Sequence, residues 1–217
     1  MLQWPKKILL SAFVLVAINA LPARAEEFRY SPEGCEFSMT FPSEPHAIRR
    51  CHDKMPDKCT LMTGYTQVFD LDTTVNFYVA CKPSEKDMRK DFTADIMRTS
   101  LLARPYVNTL EVYDVALSET DEAFMGALFG AGPSPNGNDV MVYVTQLWVG
   151  KDSVLALEGE LIGKQTEQAD ILFASVLRSM RHKSWTEDEN PAPVTKSAEE
   201  PAEKPAVTDN KTPEKAP

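Results

Sequence analysis

Outside its first 25 residues, only two stretches of this chain space apolar side chains at helical intervals; most other apolar segments before residue 185 alternate or form short strand-length runs. Met88, Phe92, Ile96, Met97 and Leu101 form one helical stripe, ending before Pro105. Ala169, Leu172, Phe173, Val176, Leu177 and Met180 form the other. A doubly wound parallel sheet needs a helix between most of its strands, so two helices exclude it. The pattern predicts an α+β fold: an antiparallel β-sheet covered by two main helices.

The strand signals fall in groups. Cys35-Glu-Phe37-Ser-Met39-Thr-Phe41 is apolar at every second position and stops at Pro42, the pattern of a half-buried strand. A hairpin is expected around Cys51 and Cys59, with an outgoing arm over residues 60–69. Val75 to Cys81 alternates again and stops before Pro83. Ser84, with Asp87 three residues on, is then the expected N-cap of the first helix. Strands are predicted over 109–117 and 123–129, followed by the loop Gly130-Ala-Gly132-Pro-Ser-Pro-Asn136-Gly137-Asn138. Two more, 140–149 and 153–162, flank the hairpin signal Gly150-Lys-Asp152. Arg178, Arg181, His182 and Lys183 are placed in the last turns of the second helix, where cations suit the dipole.

The ends of the chain differ in kind. Residues 1–25 read as a cleavable signal peptide: Lys6 and Lys7, an apolar run from Ile8 to Ala20, then Ala23-Arg24-Ala25 with small residues at the two positions a signal peptidase reads. The run is short of the roughly 20 residues a bilayer-spanning helix requires, and no later segment approaches that length. No cysteine stands at the cleavage point for lipid attachment. A soluble product in the periplasm or secreted medium is expected. From Trp185 the chain turns to Glu, Lys, Pro, Ala and Thr without apolar periodicity, so 185–217 is expected to be a disordered tail. The leader carries +3 and the tail −4 of the net −9, which leaves −8 on a single domain spanning 26–184. That charge argues against nucleic acid or anionic lipid as a partner.

All four cysteines, Cys35, Cys51, Cys59 and Cys81, lie in the exported part, and four cysteines allow three pairings. Cys51 and Cys59 flank a polar loop containing Pro56-Asp57, and Cys35 and Cys81 each sit on the apolar face of a predicted strand. Those positions favour Cys51–Cys59 and Cys35–Cys81. A competing reading is a metal-handling protein or enzyme using His46, Cys51, His52 and Cys59, with Met55 and Met62 as soft ligands. The Cys-x2–4-Cys unit that would accompany such histidines in a zinc site is missing, so no metal or cofactor is assigned.

Tyr30-Ser-Pro-Glu-Gly34-Cys-Glu-Phe37-Ser-Met-Thr-Phe41-Pro42 resembles the opening Tyr-x-x-x-Gly-x-x-Phe-x-Met/Val-x-Phe-Pro of the PsbP/Mog1-like α/β/α sandwich family, its small exported bacterial members in particular. The order of elements from Phe28 to Arg181 is similar too. The resemblance implies helices packed on a sheet and a binding or assembly role without catalysis. It carries no shared active-site motif onto this chain.

No motif points to an enzyme. Gly132-Pro-Ser134-Pro-Asn136 lacks the closing glycine of a nucleophile elbow and holds two prolines. Gly150-Lys151 is followed by an acid, so it is no phosphate loop. His46, His52 and His182 suit surface or capping roles, no spacing singles out a carboxylate pair, and Met88, Met97, Met125, Met141 and Met180 fall on apolar stripes. The candidate binding residues are Arg49 and Arg50 beside Cys51, and Gly130, Gly132, Asn136 and Gly137 of the long loop. The expectation is a non-enzymatic binding or assembly protein with a cell-envelope protein as partner, met at the sheet's open edge and the 130–138 loop.

Overall fold

The structure, a computed structural model, describes residues 27–52, 55–84 and 86–186, without the side chains of 52 and 55–58. The leader and nearly all of the tail lie outside the described residues. In chain order the elements are β1 (Phe28–Tyr30), β2 (Phe37–Phe41), β3 (His46–His52), β4 (Met55–Phe69) and β5 (Thr73–Pro83). A 3-10 turn (Met88–Asp91), α1 (Ala94–Leu102) and a second 3-10 turn (Val107–Thr109) follow. Then come β6 (Glu111–Glu119), β7 (Phe124–Pro133), β8 (Val140–Val149), β9 (Ser153–Gly163), α2 (Glu167–Arg178) and β10 (Arg181–His182).

Seven strands form one antiparallel sheet in the order β3-β4-β5-β9-β8-β7-β6, and β1-β2-β10 form a small second one. Each face of the large sheet carries its own core, as strand alternation requires. On one face Val75, Phe77, Val79, Leu155, Leu157 and Leu161 meet Ala169, Phe173 and Val176 of α2, together with Phe37, Met39 and Phe41 of β2. On the other, Met97 and Leu101 of α1 pack on Leu128, Met141, Leu147 and Val149. Gly126 lets α1 approach: a Cβ there would stand 2.7 Å from Met97 Cγ.

Several expectations are corrected. Strand β2 is not half-buried: Phe37, Ser38, Met39 and Phe41 are all buried, because β1 and β10 flank it and α2 lies across it. Ser84 does not cap the first helix; its hydroxyl donates to Lys86 O at 3.0 Å in a local turn. Thr93 caps α1, accepting from Ile96 N at 3.3 Å. Met88 and Phe92 keep their place against the α1 core, from a 3-10 turn and the extended residue after it. At the other helix, Arg178 is the one expected cation still in the last turn. Arg181 and His182 leave it to pair with Ser38 and Phe37, and Ser179 ties that exit down by accepting from Thr40 N at 2.9 Å. Gly130 to Pro133 are not loop but the end of β7, so the loop shrinks to 134–139.

Two disulfides form. Cys35–Cys81 joins the approach to β2 to β5 across 46 residues, and Cys51–Cys59 closes the β3–β4 hairpin with its Cα atoms 3.9 Å apart. Trp185, the first residue of the composition-defined tail, packs on Trp148 and His182 at ring separations of 5.9 and 6.0 Å.

Candidate binding site

Strand β9 is an apolar run with two acids in it, and both point to the α1 face: Glu158 pairs in register with Thr145 and Glu160 with Tyr143. Each is only 4 % exposed. Buried carboxylates need partners. Glu158 accepts from Arg50 Nη1 at 2.7 Å, and Arg104 Nη1 lies 3.9 Å from its other oxygen. Glu160 accepts from Asn76 Nδ2 at 3.3 Å.

Arg50 comes from an unexpected distance. In the sheet order β4 and β5 stand between its strand and Glu158's, so a flat sheet would hold the two backbones about 14 Å apart at about 4.8 Å per strand. Among the described residues β4 pairs with β5 only from Thr63 to Phe69, and its first half is laddered to β3 alone. That free two-stranded ribbon curls over the α1 face and delivers Arg50 to β9. Its guanidinium carbon lies 5.4 Å from the Tyr78 ring centre and 5.9 Å from that of Tyr106, a cation held between two aromatic faces.

Tyr106 stands in the turn between α1 and β6 with φ +69°, the left-handed region, which costs a bulky residue about 1–2 kcal/mol. Non-glycine residues in that region cluster at functional sites. Behind Tyr106 lies fully buried Tyr143, ring to ring at 6.2 Å. The Tyr143 hydroxyl and Arg104 Nε are buried with no partner in bonding geometry among the described residues; the adjacent Thr145 hydroxyl is spent on Leu157 O at 3.1 Å.

Electrostatics follow from burial. Burial, and then the Glu158 charge beside it, pushes the Glu160 carboxyl above its ordinary range, although Asn76 and Arg50 oppose this. Burial likewise raises Tyr78 to about 12 and Tyr143 further. Burial works against the Arg50 charge, but the Glu158 charge and hydrogen bond outweigh it and hold the proton on more tightly. The set is nearly charge-balanced and rich in planar polar and aromatic groups. Both Glu158 oxygens face guanidiniums.

Of the residues singled out from sequence, only Arg50 enters this recess. Arg49 alternates to the opposite side of β3 and is exposed. Gly130 and Gly132 serve packing: a Cβ would stand 2.8 Å from Glu111 O at the first and 2.8 Å from Thr109 O at the second. Asn136 and Gly137 belong to a self-contained turn in which Asn138 N donates to Asn136 Oδ1 at 3.2 Å and Gly137 N to Ser134 O at 2.8 Å. Cys51 and Cys59 are bonded to each other, which removes both thiolates from the alternative ligand set; the His52 side chain lies outside the described residues. Among the described residues no three His, Cys, Asp or Glu gather as a metal group, and no helix is long and apolar enough to cross a membrane. Sequence reasoning missed Glu158, Glu160, Arg104, Asn76 and the three tyrosines. The available signal was Glu-Gly-Glu inside an otherwise apolar strand.

No family model matches the sequence, and no curated protein does. Solved structures give remote likenesses. LpqN of Mycobacterium tuberculosis, involved in cell envelope biogenesis, matches with a TM-score of 0.37 and 11 % identity over 71 % of this chain and 86 % of LpqN. The Ran-binding protein Mog1p of Saccharomyces cerevisiae matches with 0.34 and 11 % over 73 % of this chain and 96 % of Mog1p. A Bacteroides thetaiotaomicron protein matches with 0.33 and 13 % over 74 % of this chain but 49 % of its own. At these scores no residue, ligand or partner carries over.

Proposed function

We propose that this chain is a non-enzymatic binding protein of the extracytoplasmic space whose partner engages the Arg50–Glu158 recess. The observation that carries the reading is the recess itself. Two buried acids, two arginines and three tyrosines cost more to bury than apolar residues of the same size. Arg50 reaches them from a ribbon that is not laddered to β5, beside a tyrosine held in the left-handed region. The signal peptide read from the sequence and the two disulfides support an oxidising compartment. A cell-envelope protein is the partner this reading favours.

The test is affinity capture from an envelope fraction with the full chain and with Glu158→Gln and Tyr106→Ala, against Asn136→Ala as a control in the 134–139 turn. Capture of a defined partner should fall at least tenfold for the recess variants and hold for the control. A partner retained by both recess variants and lost by the control would overturn the assignment and return attention to the turn.

A further inference from the structure

Resting on that reading, we propose that the recess is a guanidinium receptor, occupied at rest by the chain's own Arg50 and taken over by an arginine of a protein partner when the ribbon lifts. The walls of the receptor do not come from the ribbon. Tyr78 and Asn76 stand on β5, Glu158 and Glu160 on β9, and Tyr106 on the turn after α1. Only the cation arrives from outside. A planar guanidinium between two rings, with a carboxylate at 2.7 Å, is the geometry that distinguishes arginine from lysine. Among the described residues the ribbon joins β5 at one end only. Its two strands are bridged by Cys51–Cys59, and Met55 and residues 59–62 pair with β3, while β4 meets β5 only from Thr63 on among the described residues. Lifting it therefore breaks the Arg50 contacts without breaking a sheet ladder. The charge of −8 over 26–184 favours a basic partner, and an incoming arginine restores the neutrality that Glu158 loses as Arg50 departs.

The test titrates N-acetyl-arginine methylamide and its lysine counterpart into the full chain and into Arg50→Ser, followed by two-dimensional NMR. Arg50→Ser should bind the arginine probe at least tenfold more tightly than the parent chain and prefer it to the lysine probe about fivefold. Arg50→Ser/Glu158→Gln should lose that binding. Equal binding by parent and Arg50→Ser, or equal binding of the two probes, overturns the proposal. If circular dichroism shows Arg50→Ser unfolded, Arg50→Lys replaces it, since an ammonium yields the cage to a guanidinium and the same preference must appear. Partner capture that depends on the recess, with no arginine-probe binding to any folded chain, overturns the guanidinium inference and leaves the binding reading standing. Failure of both overturns both.

Discussion

The Arg50–Glu158 pair is the joint on which ribbon and recess depend, and its strength is measurable. Charge centres about 4 Å apart at an effective dielectric near 20 attract by about 4 kcal/mol. Burying Glu158 costs several kcal/mol of hydration. The Arg50 side chain stays 29 % exposed, so solvent screens part of the gain. The net coupling should be about 1.5–3 kcal/mol, above the 0.2–1 kcal/mol of exposed pairs. The assay is a double-mutant cycle with Arg50→Gln, Glu158→Gln and the double variant, unfolded in urea and followed by the fluorescence of Trp148 and Trp185. Glu158→Gln alone should cost about 2–4 kcal/mol, because it leaves two half-buried guanidiniums facing an amide. The double variant should cost less than the sum of the singles by the coupling energy. A coupling below about 0.5 kcal/mol would mean an ordinary surface pair and would refute the account of the ribbon as latched.

Four other outcomes follow from the structure. The Glu160 carboxyl is raised on folding, so its ionisation weighs on the folded state as pH climbs from the ordinary 4.5 through the raised value. The melting temperature of Glu160→Gln minus that of the parent should therefore grow more positive between pH 4.5 and 7; a flat difference would contradict it. Leu71 sits at the β4–β5 turn with φ +64° and 97 % exposed, so Leu71→Gly should raise stability by about 1 kcal/mol in urea unfolding. Gly130→Ala drives a methyl into Glu111 O and should cost about 1–3 kcal/mol while leaving partner capture per folded molecule unchanged. Replacing Cys35 and Cys81 by Ala should cost about 4 kcal/mol and replacing Cys51 and Cys59 about 2.5, as their loops of 46 and 8 residues imply. Calorimetry on the two double variants checks the order.

What the chain displayed in its sequence was whatever depends on near neighbours. Period-two alternation marked β5 from Val75 to Cys81, Gly150-Lys-Asp marked the β8–β9 hairpin, and the Ala169 to Leu177 spacing marked α2. The first helix shows the limit of the same signal. Met88 and Phe92 keep helical spacing because both pack against the α1 core, but spacing cannot tell a 3-10 turn from a helix. Strand β2 alternates in sequence yet is buried on both sides, since a residue as small as Ser38 is covered once α2 and β10 close around it.

The recess lay beyond reach for a different reason: its central bond spans 108 residues, and which strand's arginine meets which strand's glutamate is set by how far the ribbon curls. Arg49 and Arg50 are chemically identical in sequence. Alternation sends one to solvent and the other beside two tyrosines, a difference that the sequence of the pair does not display. Glu158 and Glu160 were the stronger clue. Two charges on one face of a strand otherwise fit for a core are costly unless something across the fold repays them. A stretch that breaks its own hydrophobic rule asks for its partner, and here that partner is Arg50, carried on a ribbon that lies outside the β5 ladder among the described residues.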